Sequence, residues 1–134
     1  MNKTDLENLA QIRLEEAKTL LDNRHYSGAY YLCGYVVECA LKACIAKNTQ
    51  QYDFPDKKIA DKSWTHDFGQ LLIAAKLDKA RKAVADDIDA SWVTVEKWSE
   101  NSRYNCYTEQ DAIAIYNSVA SPVNGVLQWV KQYY

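Results

Sequence analysis

Glycine and proline are scarce, four and two among 134 residues. Hairpins and tight β-connections draw on both, so their shortage turns the expectation towards helices. An excess of positive charge is also missing. The net charge of −2 excludes a protein that coats nucleic acid without selectivity, although not a local basic patch. Histidine occurs only at positions 25 and 66, and no Cys-x-x-Cys occurs, so zinc-ligand spacing is absent. No metal and no cofactor is expected. A basic-then-apolar leader is absent too, because Met1 to Asp22 is charged throughout, and the expected compartment is the cytoplasm.

What is present fits one soluble domain over residues 1–134, long enough to bury a single core. The apolar stretch Ala29 to Ala46 invites a membrane reading. Glu38 and Lys42 lie inside it, and each mid-bilayer charge costs about 2.5–3.5 kcal/mol on insertion scales. A buried helix of a soluble protein is the better expectation, with no membrane partner. On such a helix Cys33 and Cys44 stand roughly 16 Å apart at about 1.5 Å per residue. A disulfide needs Cα atoms within about 7 Å, so reduced, buried thiols are expected.

The helical signals are regular. Thr4 to Glu7 reads as a capping box. Behind it Leu6, Leu9, Ala10, Ala17, Leu20 and Leu21 form an apolar stripe to about Asn23. A second helix, about Tyr26 to Lys47, is apolar nearly all round and should be central. Its one polar stripe holds Tyr31, Tyr35, Glu38 and Lys42, within about 60° at roughly 100° per residue. The two tyrosines should satisfy their hydroxyls on the Glu38–Lys42 pair.

Asn48 to Ser63 is a long polar connection with Pro55, a length usually functional or mobile. Thr65 and Asp67 then start a short helix. A fourth helix runs from about Asp78 towards Asn101, with a break near Asp86 to Asp89, and carries Ala80, Val84, Ile88, Trp92 and Val95 inward. The last opens on Thr108 to Asp111, carries Ala112, Tyr116, Val119, Val123, Val126 and Val130, and restarts at Ser121-Pro122. The predicted fold is all-α: an up-and-down bundle of four to five helices.

Three segments carry a resemblance: "GAYYLCGYVVECALKACIA", "HDFGQLL" and "ENSRYN". Together they resemble HEPN domains, helical bundles of prokaryotic toxin and defence systems. Glu38-x-x-x-Lys42 matches the family's Glu-x3-Lys element. His66-Asp67-Phe68 with Leu71 and Leu72 resembles a helix start of one branch. Glu100-x-x-Arg103 with Tyr104 matches the first half of the ribonuclease motif.

Active members, as the resemblance implies, place a histidine four to six residues after that arginine and cleave RNA without metal between two protomers. A base would take the ribose 2′-OH proton while an arginine fork holds the charged phosphorane. Glu38, Lys42, Glu100 and Arg103 are therefore the candidate cleft. Arg103 precedes the N-cap at Thr108, where free N–H groups favour a phosphate. Where the histidine would stand are Thr108, Glu109 and Gln110, and none replaces an imidazole. His25 and His66 can enter the cleft only if the fold brings them there.

Plainer readings stand beside these. Arg103 can pair with Glu100, Glu38 with Lys42, and the tryptophans can be core or interface anchors. Lys76, Lys79, Arg81 and Lys82 form the densest basic patch, a second candidate for RNA or else a solvated face. The apolar C-terminus "VLQWVKQYY" suggests a homodimer through the faces near Arg103 and the last helix. Function then divides three ways: a dimeric RNA- or partner-binding module with an incomplete nuclease motif, a metal-independent ribonuclease with a relocated base, or the helical partner of a nucleotidyltransferase. The missing histidine points away from an enzyme.

Overall fold

The computed structural model describes residues 1–49 and 64–134. Most of the long polar connection, 50–63, lies outside the described residues. Among the described residues there are seven α-helices and one 3-10 turn: α1 (Lys3–Asp22), α2 (Tyr26–Lys47), α3 (Phe68–Ala74), α4 (Asp78–Lys82), α5 (Asp86–Glu96), the turn Glu100–Tyr104, α6 (Glu109–Ala120) and α7 (Val126–Lys131).

The all-α bundle is as expected from sequence, with α2 as its axis. α1 packs along its length, and α6, α7, α3 and the 3-10 turn take the other sides. α1 can lie close because Ala10 and Ala17, both fully buried, leave room at the crossing. α2 is long and apolar enough to span a membrane by composition, but thirteen of its residues are buried inside the bundle. Each Val, Leu or Ile buried there contributes about 1.5–3 kcal/mol. Cys33, Cys39 and Cys44 lie in this core as free thiols, and Cys106 is exposed.

Local chemistry moves several boundaries. α1 is capped by Asn2 rather than Thr4: its side chain accepts from the Asp5 amide at 2.8 Å, and the Asp5 carboxylate accepts from the Asn2 amide at 3.0 Å. Glu7, expected to close the box, pairs with Lys3 instead. The break before α5 falls at Ala83 to Ala85, just ahead of the acidic first turn Asp86, Asp87 and Asp89, which suits a helix N-terminus.

α6 opens on Thr108 as expected, with Asp111 completing the box. Ser121, however, does not cap α7. Its hydroxyl accepts from the Val123 and Asn124 amides and shapes a turn, and Gly125 becomes the N-cap. A Cβ at Gly125 would lie 2.4 Å from the Ser121 carbonyl oxygen, so only glycine fits. Val123, expected inward, therefore projects into solvent. The C-terminal apolar residues are used within the chain. Val126, Leu127, Trp129 and Val130 are buried.

Candidate functional site

α2 turns its polar stripe towards the segment before α3 and towards the 3-10 turn. Trp98 forms the wall between them. Its ring lies directly on Gly34, where a Cβ would come within 1.9 Å of it. Its indole N–H donates to the Tyr31 carbonyl at 3.0 Å. Phe68 stacks on Trp98 and Tyr35 meets it edge-on, giving one aromatic frame.

Within that frame Glu38 is the most deeply buried ionisable group, at 4% exposure, and such a charge needs partners. It has two. Lys42 Nζ donates to Glu38 Oε2 at 3.2 Å, and His66 Nδ1 lies 2.6 Å from Oε1. The other ring nitrogen of His66, Nε2, lies 3.1 Å from Glu100 Oε2. His66 thus bridges a buried carboxylate on α2 and a half-exposed one on the 3-10 turn. The bridge borders a cavity of about 360 Å³, lined by Thr65 to Gly69 and by Glu96 and Trp98 to Asn101.

The expected cleft residues are therefore arranged around a member that spacing alone left outside. Glu38, Lys42 and Glu100 are joined through His66. Arg103 sits elsewhere on the turn, near Tyr31 and over the ring of Tyr104 at 4.8 Å. Its contact with the Tyr104 hydroxyl, and after it Tyr31, raises the guanidinium above the ordinary arginine range. Arg103 forms no ion pair among the described residues, so the expected pairing with Glu100 does not occur.

The tyrosine hydroxyls do not reach Glu38 or Lys42 either. Tyr31 donates to Tyr35 at 3.1 Å. Burial first, then that bond and the nearby Glu38 and Glu100 charges, pushes the Tyr35 hydroxyl above the usual tyrosine range.

The residues downstream of Arg103 have structural work. Tyr107 stacks on Tyr30 at 3.6 Å, and its hydroxyl donates to Ser102. Thr108 caps α6. His25 borders a different cavity, with Arg24, Tyr26 and Tyr107. Of the two histidines, only His66 reaches the Glu38 stripe.

In the basic patch, Arg81 is held by Asp89 and Glu96 at 2.7 and 2.8 Å and lies over Trp92. Burial opposes its charge, but the bonds to Glu96 and Asp89 outweigh it and raise its pKa. That guanidinium ties α4 to α5 rather than facing a phosphate. Lys76, Lys79 and Lys82 are exposed. No group of three or more His, Cys, Asp or Glu residues suited to a metal occurs among the described residues.

A family model for the HEPN domain matches residues 5–133. The chain belongs to the HEPN domain family. At that coarse level the HEPN fold supports an RNA-related, nuclease-like or toxin-defence role. No curated protein and no solved structure matches the chain. No histidine follows Arg103 in the sequence, whose two histidines stand at positions 25 and 66. Sequence left His66 as a residue that only the fold could bring in: it directly precedes the Asp67 N-cap, and the helix that begins there packs on α2.

Proposed function

We propose that this HEPN protein is a cytoplasmic, homodimeric RNA-binding module of a toxin–antitoxin or defence system that does not cleave RNA efficiently. The observation that carries this is the Arg103–Tyr104 pair. An exposed guanidinium without a carboxylate partner among the described residues lies over an exposed aromatic ring. Such a pair suits single-stranded RNA, the cation meeting phosphate and the ring meeting a base. Chemistry needs a base as well, and the histidine nearest the cleft faces a carboxylate from each ring nitrogen. General-base catalysis is worth about 10²–10⁴-fold, so its absence leaves binding with little turnover.

Fluorescence anisotropy with a labelled single-stranded RNA tests this. Wild type should bind, with affinity falling as salt rises, and Arg103→Ala should weaken binding and flatten the salt slope by about one. Equal binding by wild type and Arg103→Ala would contradict it.

The ribonuclease reading retains one specific support. Glu38 orients His66 through Nδ1, as a carboxylate orients a general base, and the half-exposed Glu100 could leave Nε2 to a substrate hydroxyl. A partner of nucleotidyltransferase type remains the protein-binding form of the same proposal.

A further inference from the structure

We propose that the groove between α3, α4 and α5 docks a basic, amphipathic peptide segment of a partner protein. The groove encloses about 660 Å³ and adjoins the cavity beside His66, with Asp67, Gly69 and Glu96 bordering both. Glu38, Lys42, His66 and Glu100 do not line it. Its apolar part comes from α3. Leu72 is buried in the lining, and Ile73 beside it is 48% exposed. A branched aliphatic side chain left half in water gains free energy when a partner covers it. Ile73 alone would say little, since single exposed apolar residues are ordinary. The charges around it give the groove its preference.

Four carboxylates line the groove, Asp67, Asp78, Asp89 and Glu96, against two cations, Arg81 and Lys82. Arg81 is already committed to Asp89 and Glu96, and only 12% of its side chain is exposed. It therefore offers an incoming group little positive charge. Asp78, half-buried in the first turn of α4, takes part in no ion pair among the described residues. Asp67 has Oδ1 on the Gln70 amide, and its charge is met by no cation among the described residues. Lys82 alone does not balance these two. The groove is acidic around an apolar centre.

That combination decides between occupants. A phosphate backbone is repelled by the carboxylates, so the groove is not a path for RNA. A segment bearing lysine or arginine is attracted, with an aliphatic residue covering Ile73 and cations meeting Asp67 and Asp78. The chain's net charge of −2 favours the encounter with a basic partner. Arg103 and Tyr104 do not line the groove, so a docked peptide leaves them to RNA. Peptide docking and RNA binding rest on different residues, and either can fail without the other.

Amide chemical-shift mapping by NMR on the isotope-labelled chain locates the docking. The probe is a synthetic peptide of alternating leucine and lysine, with leucine–glutamate and serine–lysine peptides of equal length as controls. The leucine–lysine peptide should shift the amides of Gln70, Ile73, Asp78 and Lys82 and leave those of Arg103 and Tyr104 in place. Its affinity should fall with added salt. Asp78→Asn should weaken it about two- to fivefold, the range for one partly exposed ion pair. Ile73→Ser should weaken it about three- to tenfold by removing the apolar contact. The wild-type map and its two control peptides keep the test valid if either variant does not fold. Shifts confined to other residues, or equal binding by either control peptide, would overturn the docking groove. A single-stranded RNA that shifts the same four amides would overturn it too, and would make the groove part of the RNA path.

Discussion

Cys33, Val36, Ala40 and Cys44 lie on one side of α2, and Tyr31, Tyr35, Glu38 and Lys42 lie on the opposite side. The first side is dry. All four residues are at 2% exposure or less, and among the described residues the one polar contact from a side chain of the four is Cys44 Sγ with the Val130 carbonyl of α7. The second side is wet at its rim and charged at its base, with Glu38 buried under Lys42 and His66. Packing density holds the first, and satisfied polar partners hold the second. The same helix thus supplies the fold with its core and the candidate site with its floor.

Removing the wall between the site and the core should have the largest effect. Trp98→Ala strips the ring that covers Gly34, Tyr35 and Phe68, and should cost about 3–5 kcal/mol in a denaturant titration. Gly34→Ala approaches the same contact from the helix side. Its new Cβ would fall within 1.9 Å of the Trp98 ring, and overpacking of this kind costs about 1–3 kcal/mol. Glu38→Gln keeps the shape of the polar side but not its charge, leaving Lys42 and His66 less well partnered. A loss of about 1–2 kcal/mol is expected, smaller than for Trp98→Ala because Lys42 and His66 can still reach water.

The buried thiols of α2 have their own signature in alkali. Burial raises Cys33 to about 12 and Cys39 and Cys44 to about 11, above the ordinary thiol value of 9.0. The folded state therefore holds these protons more tightly than the unfolded state. That contribution is complete below about pH 9 and is lost as pH rises through about 11–12. Stability measured by denaturant should decline across this window. Near neutral pH a thiol reagent should label Cys106 rapidly and the other three only on unfolding. The smallest effect on stability belongs to Arg103→Ala. That side chain is fully exposed, so the melting temperature should not move while RNA affinity falls.

Much of the dry side was legible in the sequence because periodicity is a local property. The apolar stripe of α1, the all-round apolar α2 and the Thr108 box each follow from spacing within one segment. Boundaries were harder where two caps competed, as with Asn2 and Thr4, or where a turn absorbed a serine, as at Ser121. The wet side was legible only in part. Glu38 and Lys42 announced themselves as an i,i+4 pair, and Arg103 through the family motif. His66, 28 residues beyond Glu38, reaches it through the packing of α3 on α2, which no local pattern encodes. The role of Arg81 was misleading for the same reason. Its carboxylate partners lie eight and fifteen residues downstream, and a basic run in sequence became an internal strut.

The central claim is that Arg103 offers RNA a cation outside the Glu38–His66–Glu100 cluster, while His66 faces a carboxylate from each ring nitrogen and supplies no base. A time course of labelled single-stranded RNA with purified protein in excess chelator, at a concentration that saturates binding, tests it most directly. The account predicts that cleavage stays at the level of the protein-free control, and that His66→Ala and Arg103→Ala do not change it. Robust cleavage that is abolished by either substitution would contradict the claim, and would make the Glu38-oriented His66 the base.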